Sequence, residues 1–115
     1  MTRASLSLQA LSPLLSDQLQ KLGKDICFAR KRRRMSMKSM AERMMVSIDT
    51  IQRLEKGDPS VSIGIIATAL WIFGMQRRLG DLVSPESDTV GMQQDLARLP
   101  RDFRQTKKQS TDYNF

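Results

Sequence analysis

The sequence predicts an all-α fold, a compact bundle of about five short helices. Apolar residues recur every three or four positions through most of residues 16–83. Serines precede these periodic stretches, and glycine or proline follows several of them, as helix starts and stops require. Strand-type runs of Val, Ile, Thr and Tyr are missing, and only 5% of the residues are aromatic, so helix is the default.

The first helix is marked by Leu15, Leu19, Leu22, Ile26 and Ala29, which draw one apolar stripe. Ser16 or Asp17, after Pro13, can cap its start. It runs out in the Arg30–Arg34 block, where cations suit the negative end of the helix dipole. Ser36 caps a second, short helix in which Met37, Met40, Ala41 and Met44 share one face. Lys38, Ser39, Glu42 and Arg43 take the other side. Ser47 caps a third, with Ile51 and Leu54 inward and Ile48, Asp49, Gln52, Arg53 and Lys56 outward. Gly57 ends it, and Asp58–Pro59 prevents continuation.

Ser62 caps a fourth helix, IGIIATALWIFG, apolar on nearly every side and therefore expected to be the central, most buried element. Gly74 stops it. QRRLGDLV makes one or two further turns, with Leu79, Leu82 and Val83 expected to cover the end of the bundle. The domains expected are an N-terminal extension over 1–15, the helical domain over 16–83 and a partly ordered tail over 84–115. Val90, Met92, Leu96 and Leu99 in that tail are spaced for a small helix.

The net charge is +7. Residues 16–83 carry thirteen Lys/Arg against seven Asp/Glu, an excess of six, while residues 84–115 carry five of each. A basic excess on the domain fits a polyanionic partner; a solvated basic surface is the plain alternative. Cys27 is the only cysteine and histidine is absent, which excludes a disulfide framework, a Cys/His zinc site and His-based catalysis. The carboxylates are scattered and no glycine loop cradles a phosphate, so no enzyme activity, catalytic residue, metal or cofactor is assigned. Cys27 reads as a buried thiol in a reducing, cytoplasmic protein. The first fifteen residues lack a continuous apolar core of the secretory type, although they weakly resemble a transit peptide. The longest apolar stretch, Ile63–Met75, is interrupted by Gly64 and Thr68 and too short to cross a bilayer, so no membrane partner is expected.

The second and third helices are joined by Met45–Val46–Ser47 alone. So short a link makes them cross steeply with a shared apolar side, which is a helix-turn-helix. Ala41 suits the close approach, and Met40, Met44, Val46, Ile51 and Leu54 supply the wedge. The stretch MAERMMVSIDTIQRLEKG resembles the lambda-repressor/Cro-like family, also called XRE-type regulators. Its pattern is Leu-Ala-Glu, then Val-Ser, then Ile, Arg, Glu and Gly at matching intervals. The resemblance covers roughly residues 16–83. ARKRRRMS, LEKGDPSVSIGIIATALWIFGM and LARLPRDFR are further similar to antitoxins of HipA/HipB-type modules, which pair with a kinase-fold toxin and repress their own operon.

This resemblance implies a DNA-binding transcriptional repressor acting as a homodimer on a palindromic operator in double-stranded DNA. Carried over by position, Ser47 and Thr50 match residues that bond phosphates, and Ile48, Asp49, Gln52 and Arg53 match residues that reach base edges. The chemistry suits them: Arg53 a guanine, Gln52 an adenine, Asp49 a cytosine amine and Ile48 a thymine methyl. Asp49 equally suits the start of a helix. At least two of the five residues Arg30–Arg34, Arg32 and Arg33 among them, are expected with Lys38 and Lys56 to neutralise phosphates; a solvated helix end is the alternative for the run. Two positions depart from the family: Met37 stands where Gln is usual and Met45 where Gly is usual. Helix five and residues 84–100 are candidate pairing surfaces. The basic tail with Tyr113 and Phe115 either docks on a toxin or is simply solvated. The competing readings are a stand-alone phage-type or metabolic XRE repressor and a basic amphipathic segment that binds membranes or proteins. The latter needs one unbroken helix across Arg30–Met45.

Overall fold

The computed structural model describes residues 11–100. These form α1 (Pro13–Arg32), α2 (Met37–Met44), α3 (Ile48–Lys56), α4 (Ile63–Ile72), α5 (Gln76–Gly80), a short 3-10 turn (Pro85–Ser87) and α6 (Thr89–Arg98). No strand occurs among the described residues. The fold is all-α, as expected. Most of the transit-peptide-like start and the basic tail with Tyr113 and Phe115 lie outside the described residues.

The first four helices are bracketed by the same two devices. At each start a serine hydroxyl accepts the amide three residues ahead: Ser12 from Leu15 at 3.3 Å, Ser36 from Ser39 at 3.0 Å, Ser47 from Thr50 at 3.2 Å and Ser62 from Ile65 at 3.2 Å. Each bond satisfies one of the amides that a helix start leaves without an internal partner. Three of these caps match expectation. The first does not: Ser12, rather than Ser16 or Asp17, caps α1, because Pro13 at the first helical position needs no amide partner.

At each end the chain turns through a left-handed residue: Arg34 (φ 56°), Met45 (φ 58°), Gly57 (φ 75°) and Gly74 (φ 75°). The next residue's amide reaches back five positions, as from Met35 to Arg30 O at 3.2 Å and from Val46 to Ala41 O at 3.0 Å. This doubled closure satisfies the last carbonyls. It tolerates glycine best, yet two of the four positions carry bulky side chains.

The chain divides into two compact units, one ending at Leu79 and the other beginning at Gly80. The core of the first joins Ile26 and Met35 to Met40, Ala41 and Met44 of α2, Ile51 and Leu54 of α3, and Ala69 and Phe73. The helix-turn-helix wedge is therefore as expected, with Met40 and Ile51 completely buried and Val46 packed at its edge. Met37 also packs partly against this core.

Four expectations about burial need correction. Leu15 and Leu22 of the α1 stripe are exposed, and the buried side of α1 is Gly23, Ile26 and Arg30. A Cβ on Gly23 would stand 2.6 Å from the Glu55 carbonyl oxygen, so its absence lets α1 lie directly against α3. That contact rotates the helix away from its leucines. Second, α4 is not the most buried element. Only Ala69 within it is fully covered, while Ile63 and Trp71 are 68% and 63% exposed. A short helix that packs mainly against α2 cannot cover its whole circumference. Third, Leu82 and Val83, expected to be covered, are exposed. Cys27, expected to be buried, is only half-buried.

In the second unit, the small helix expected within 84–100 is α6. Asp88 caps it, accepting the Gly91 amide at 2.9 Å.

Candidate nucleic-acid interface

The inner face of α3 is closed by Ile51, Leu54 and Glu55. Its other positions carry the predicted readers. Ile48, Asp49, Gln52 and Lys56 are exposed, and Arg53 is half-exposed. At the N-terminal end, Ser47 is exposed and Thr50 is half-buried, their hydroxyls 3.0 Å apart. The helix thus brings together seven of the expected contact residues, Ser47 capping it and Lys56 closing its last turn. Lys38 is exposed on α2.

The basic run behaves unevenly. Arg30 is 6% exposed and buried against α3, so it is not among the members of the run that can face phosphates. Its Nε donates to Glu55 Oε2 at 2.6 Å and its Nη2 to Oε1 at 3.0 Å, while Nη1 donates to the Met35 carbonyl at 2.9 Å. The hydrogen bond to Glu55, above all, holds the guanidinium firmly in its charged form. One planar fork therefore ties α1, the turn before α2 and α3 together. Arg33 is also engaged. Its Nη1 and Nη2 donate to the carbonyls of Ala29 and Phe73, both at 3.0 Å, and its guanidinium lies 4.9 Å from the centre of the Phe73 ring. Arg32 is exposed and lies over Phe28.

The Arg30–Glu55 pair escaped the sequence reading, although a signal was present. Arg30 stands four residues after Ile26, and Glu55 four after Ile51, so helical spacing puts both on inward faces. A buried charge there requires a partner.

Arg53 has further neighbours that its spacing did not announce. Its Nε donates to Asp58 Oδ2 at 3.4 Å and its Nη2 to Ser60 Oγ at 2.9 Å. Asp58 Oδ1 accepts the Ser60 amide at 2.8 Å and the Ser60 hydroxyl at 2.7 Å. The Ser60 amide, then its hydroxyl and Arg53, hold the Asp58 carboxyl below the usual carboxylate range.

An exposed polar face on a helix clamped by its apolar side and joined to α2 by three residues is suited to a groove. Residues 28–68, from the last turns of α1 into α4, match the family model described as Helix-turn-helix. The chain carries an XRE-type, lambda-repressor-like helix-turn-helix. This helix-turn-helix is that of a DNA-binding transcriptional regulator. No curated protein and no solved structure matches the chain.

The rival reading of residues 30–45 as a membrane-binding amphipathic helix needs continuity that the backbone lacks. α1 ends at Arg32 and α2 starts at Met37, with Arg34 left-handed between them. No helix among the described residues is long and apolar enough to cross a membrane.

Proposed function

We propose that the protein is a sequence-specific repressor that binds a palindromic operator in double-stranded DNA as a homodimer. In this reading α3 lies in the major groove. Ile48, Asp49, Gln52 and Arg53 read base edges; Ser47, Thr50, Lys38, Lys56, Arg32 and Arg33 contact phosphates. The observation that carries the reading is α3 itself: Ile48, Asp49 and Gln52 are exposed beside a completely buried Ile51. A helix anchored so firmly presents its outer side chains in fixed register.

Two copies are required because one reader of this size buries little surface, and two half-sites about one helical turn, roughly 34 Å, apart double it. Ile63 and Trp71 are apolar and exposed, the kind of surface that a second copy would cover. The similarity to HipA/HipB-type antitoxins extends the proposal: the protein would also neutralise a kinase-fold toxin and repress its own operon. The second compact unit, from Gly80 onward, supports it by carrying none of the residues assigned above to base or phosphate contact. Co-purification with the product of the adjoining reading frame tests that extension. Absence of a kinase-fold partner would leave a stand-alone repressor.

Selection of bound duplexes from a random pool tests the central reading. The expected result is a two-fold symmetric site whose half-sites are one turn apart. Arg53→Ala should cost roughly 1–3 kcal/mol on that site and relax one position in each half. Recovery of no preferred sequence by the unaltered protein would overturn sequence-specific recognition.

A further inference from the structure

Arg53 stands at the C-terminal end of α3, where a long side chain would ordinarily sample many rotamers. Here two residues of the following loop hold it. Asp58 Oδ2 takes the Nε proton and Ser60 Oγ takes one from Nη2. These atoms lie along the side edge of the guanidinium. Five N–H donors are fixed in one plane, so three remain: both on Nη1 and one on Nη2. Among the described residues, Nη1 has no hydrogen-bond partner. The end edge, one proton from each Nη, is the edge that grips guanine O6 and N7 together.

We infer that Asp58 and Ser60 are positioning residues for base recognition, bracing the side edge of Arg53 so that its end edge is presented to a guanine. The inference deepens the DNA-reading proposal and rests on it.

The brace is itself rigid. Asp58 follows the left-handed Gly57, and its Oδ1 accepts both the amide and the hydroxyl of Ser60, closing a small ring in the loop. The Ser60 hydroxyl therefore gives its proton to Asp58 and keeps its lone pairs for Arg53. Donor and acceptor directions agree throughout. Asp58 is held ionised by the same contacts, which keeps its second oxygen a strong acceptor for a cation. A side chain ordered before binding loses less freedom on contact with DNA, and only one orientation of its fork is offered. The brace should thus affect discrimination more than bulk attraction. Removing Asp58's charge should even favour nonspecific binding, because one anion near the phosphates is lost.

The test uses the full chain and random-pool selection, followed by binding to the selected duplex and to a single-base substitution at the guanine. Ser60→Ala and Asp58→Asn should each lower the preference for guanine at the Arg53 position by about tenfold. Ser60→Ala should leave affinity for unrelated DNA and its salt dependence unchanged, and Asp58→Asn should raise the former. Ser60→Thr, which keeps the hydroxyl, should retain the preference. A merely structural loop role predicts instead a uniform loss across all positions together with a lower melting temperature. If Arg53→Ala abolishes the guanine preference while Ser60→Ala and Asp58→Asn keep it, the brace is overturned and DNA reading by Arg53 stands. If Arg53→Ala changes no base preference, the contacts sequester Arg53 and the inference fails. If the unaltered protein selects no sequence at all, the underlying DNA-reading proposal falls with it.

Discussion

Met45 occupies the turn between α2 and α3 at φ 58° and ψ 43°, and its side chain is 91% exposed. A methionine there has the steric cost of a left-handed backbone and gains no burial in return. The position where the resemblance expects glycine is left-handed in this chain. Met45→Gly should stabilise the fold by about 1 kcal/mol. For a domain of this size that is a rise in melting temperature of roughly 4–8 °C, readable by calorimetry. An unchanged midpoint would show that the turn does not strain the native backbone. Met37, the other departure, has a different explanation: it packs partly on the core, continuing the apolar face of α2 where Gln would end it.

For the helices, the decisive feature is how α3 is held. Its inner face carries two apolar side chains and one carboxylate, and the carboxylate meets Arg30 through both oxygens. Both side chains are almost completely enclosed. Removing one partner would leave the other charged, buried and without its main hydrogen bonds. Glu55→Ala should accordingly cost about 3–5 kcal/mol in denaturant unfolding. Replacing both, as Arg30→Met with Glu55→Leu, should recover most of that loss, since an apolar pair of similar volume needs no desolvation. A double variant as unstable as the single would show that the pair is required for more than charge compensation, for example through the Met35 carbonyl bond. Most of α3 was legible in the sequence: its serine cap, its glycine stop and its Ile51–Leu54 face. The buried pair was not, because its members lie 25 residues apart and only the α1–α3 contact joins them.

Across the whole molecule, the excess of six positive charges over residues 16–83 is not spread evenly in function. Arg30 is consumed by the core, while Arg33 stays exposed and braces its guanidinium on carbonyls at the ends of α1 and α4. Lys38 and Lys56 are exposed and flank the helix-turn-helix. Lys38→Gln and Lys56→Gln should each reduce the slope of log affinity against log salt by about 0.9 per bound subunit and leave the selected sequence unaltered. A slope unchanged in both variants would remove these lysines from the phosphate set. Composition reveals the total charge, but only packing decides how much of it faces solvent.

Local chemistry accounts for what the sequence determined by itself. The caps Ser36, Ser47 and Ser62, the stops Gly57 and Gly74 and the three-residue turn depend on hydrogen bonds spanning three to five residues, and their side chains are readable one after another. Those bonds define the helix-turn-helix and its outward residues. Tertiary structure decided the rest. It turned the α1 stripe so that Gly23 meets Glu55, left Ile63 and Trp71 of α4 uncovered, withdrew Arg30 into the core and set Asp58 and Ser60 beside Arg53. Helical periodicity shows that a side chain lies on an inward face; whether a neighbouring helix arrives to cover it depends on the packing of distant segments. That packing is set by the few places where backbones can approach closely.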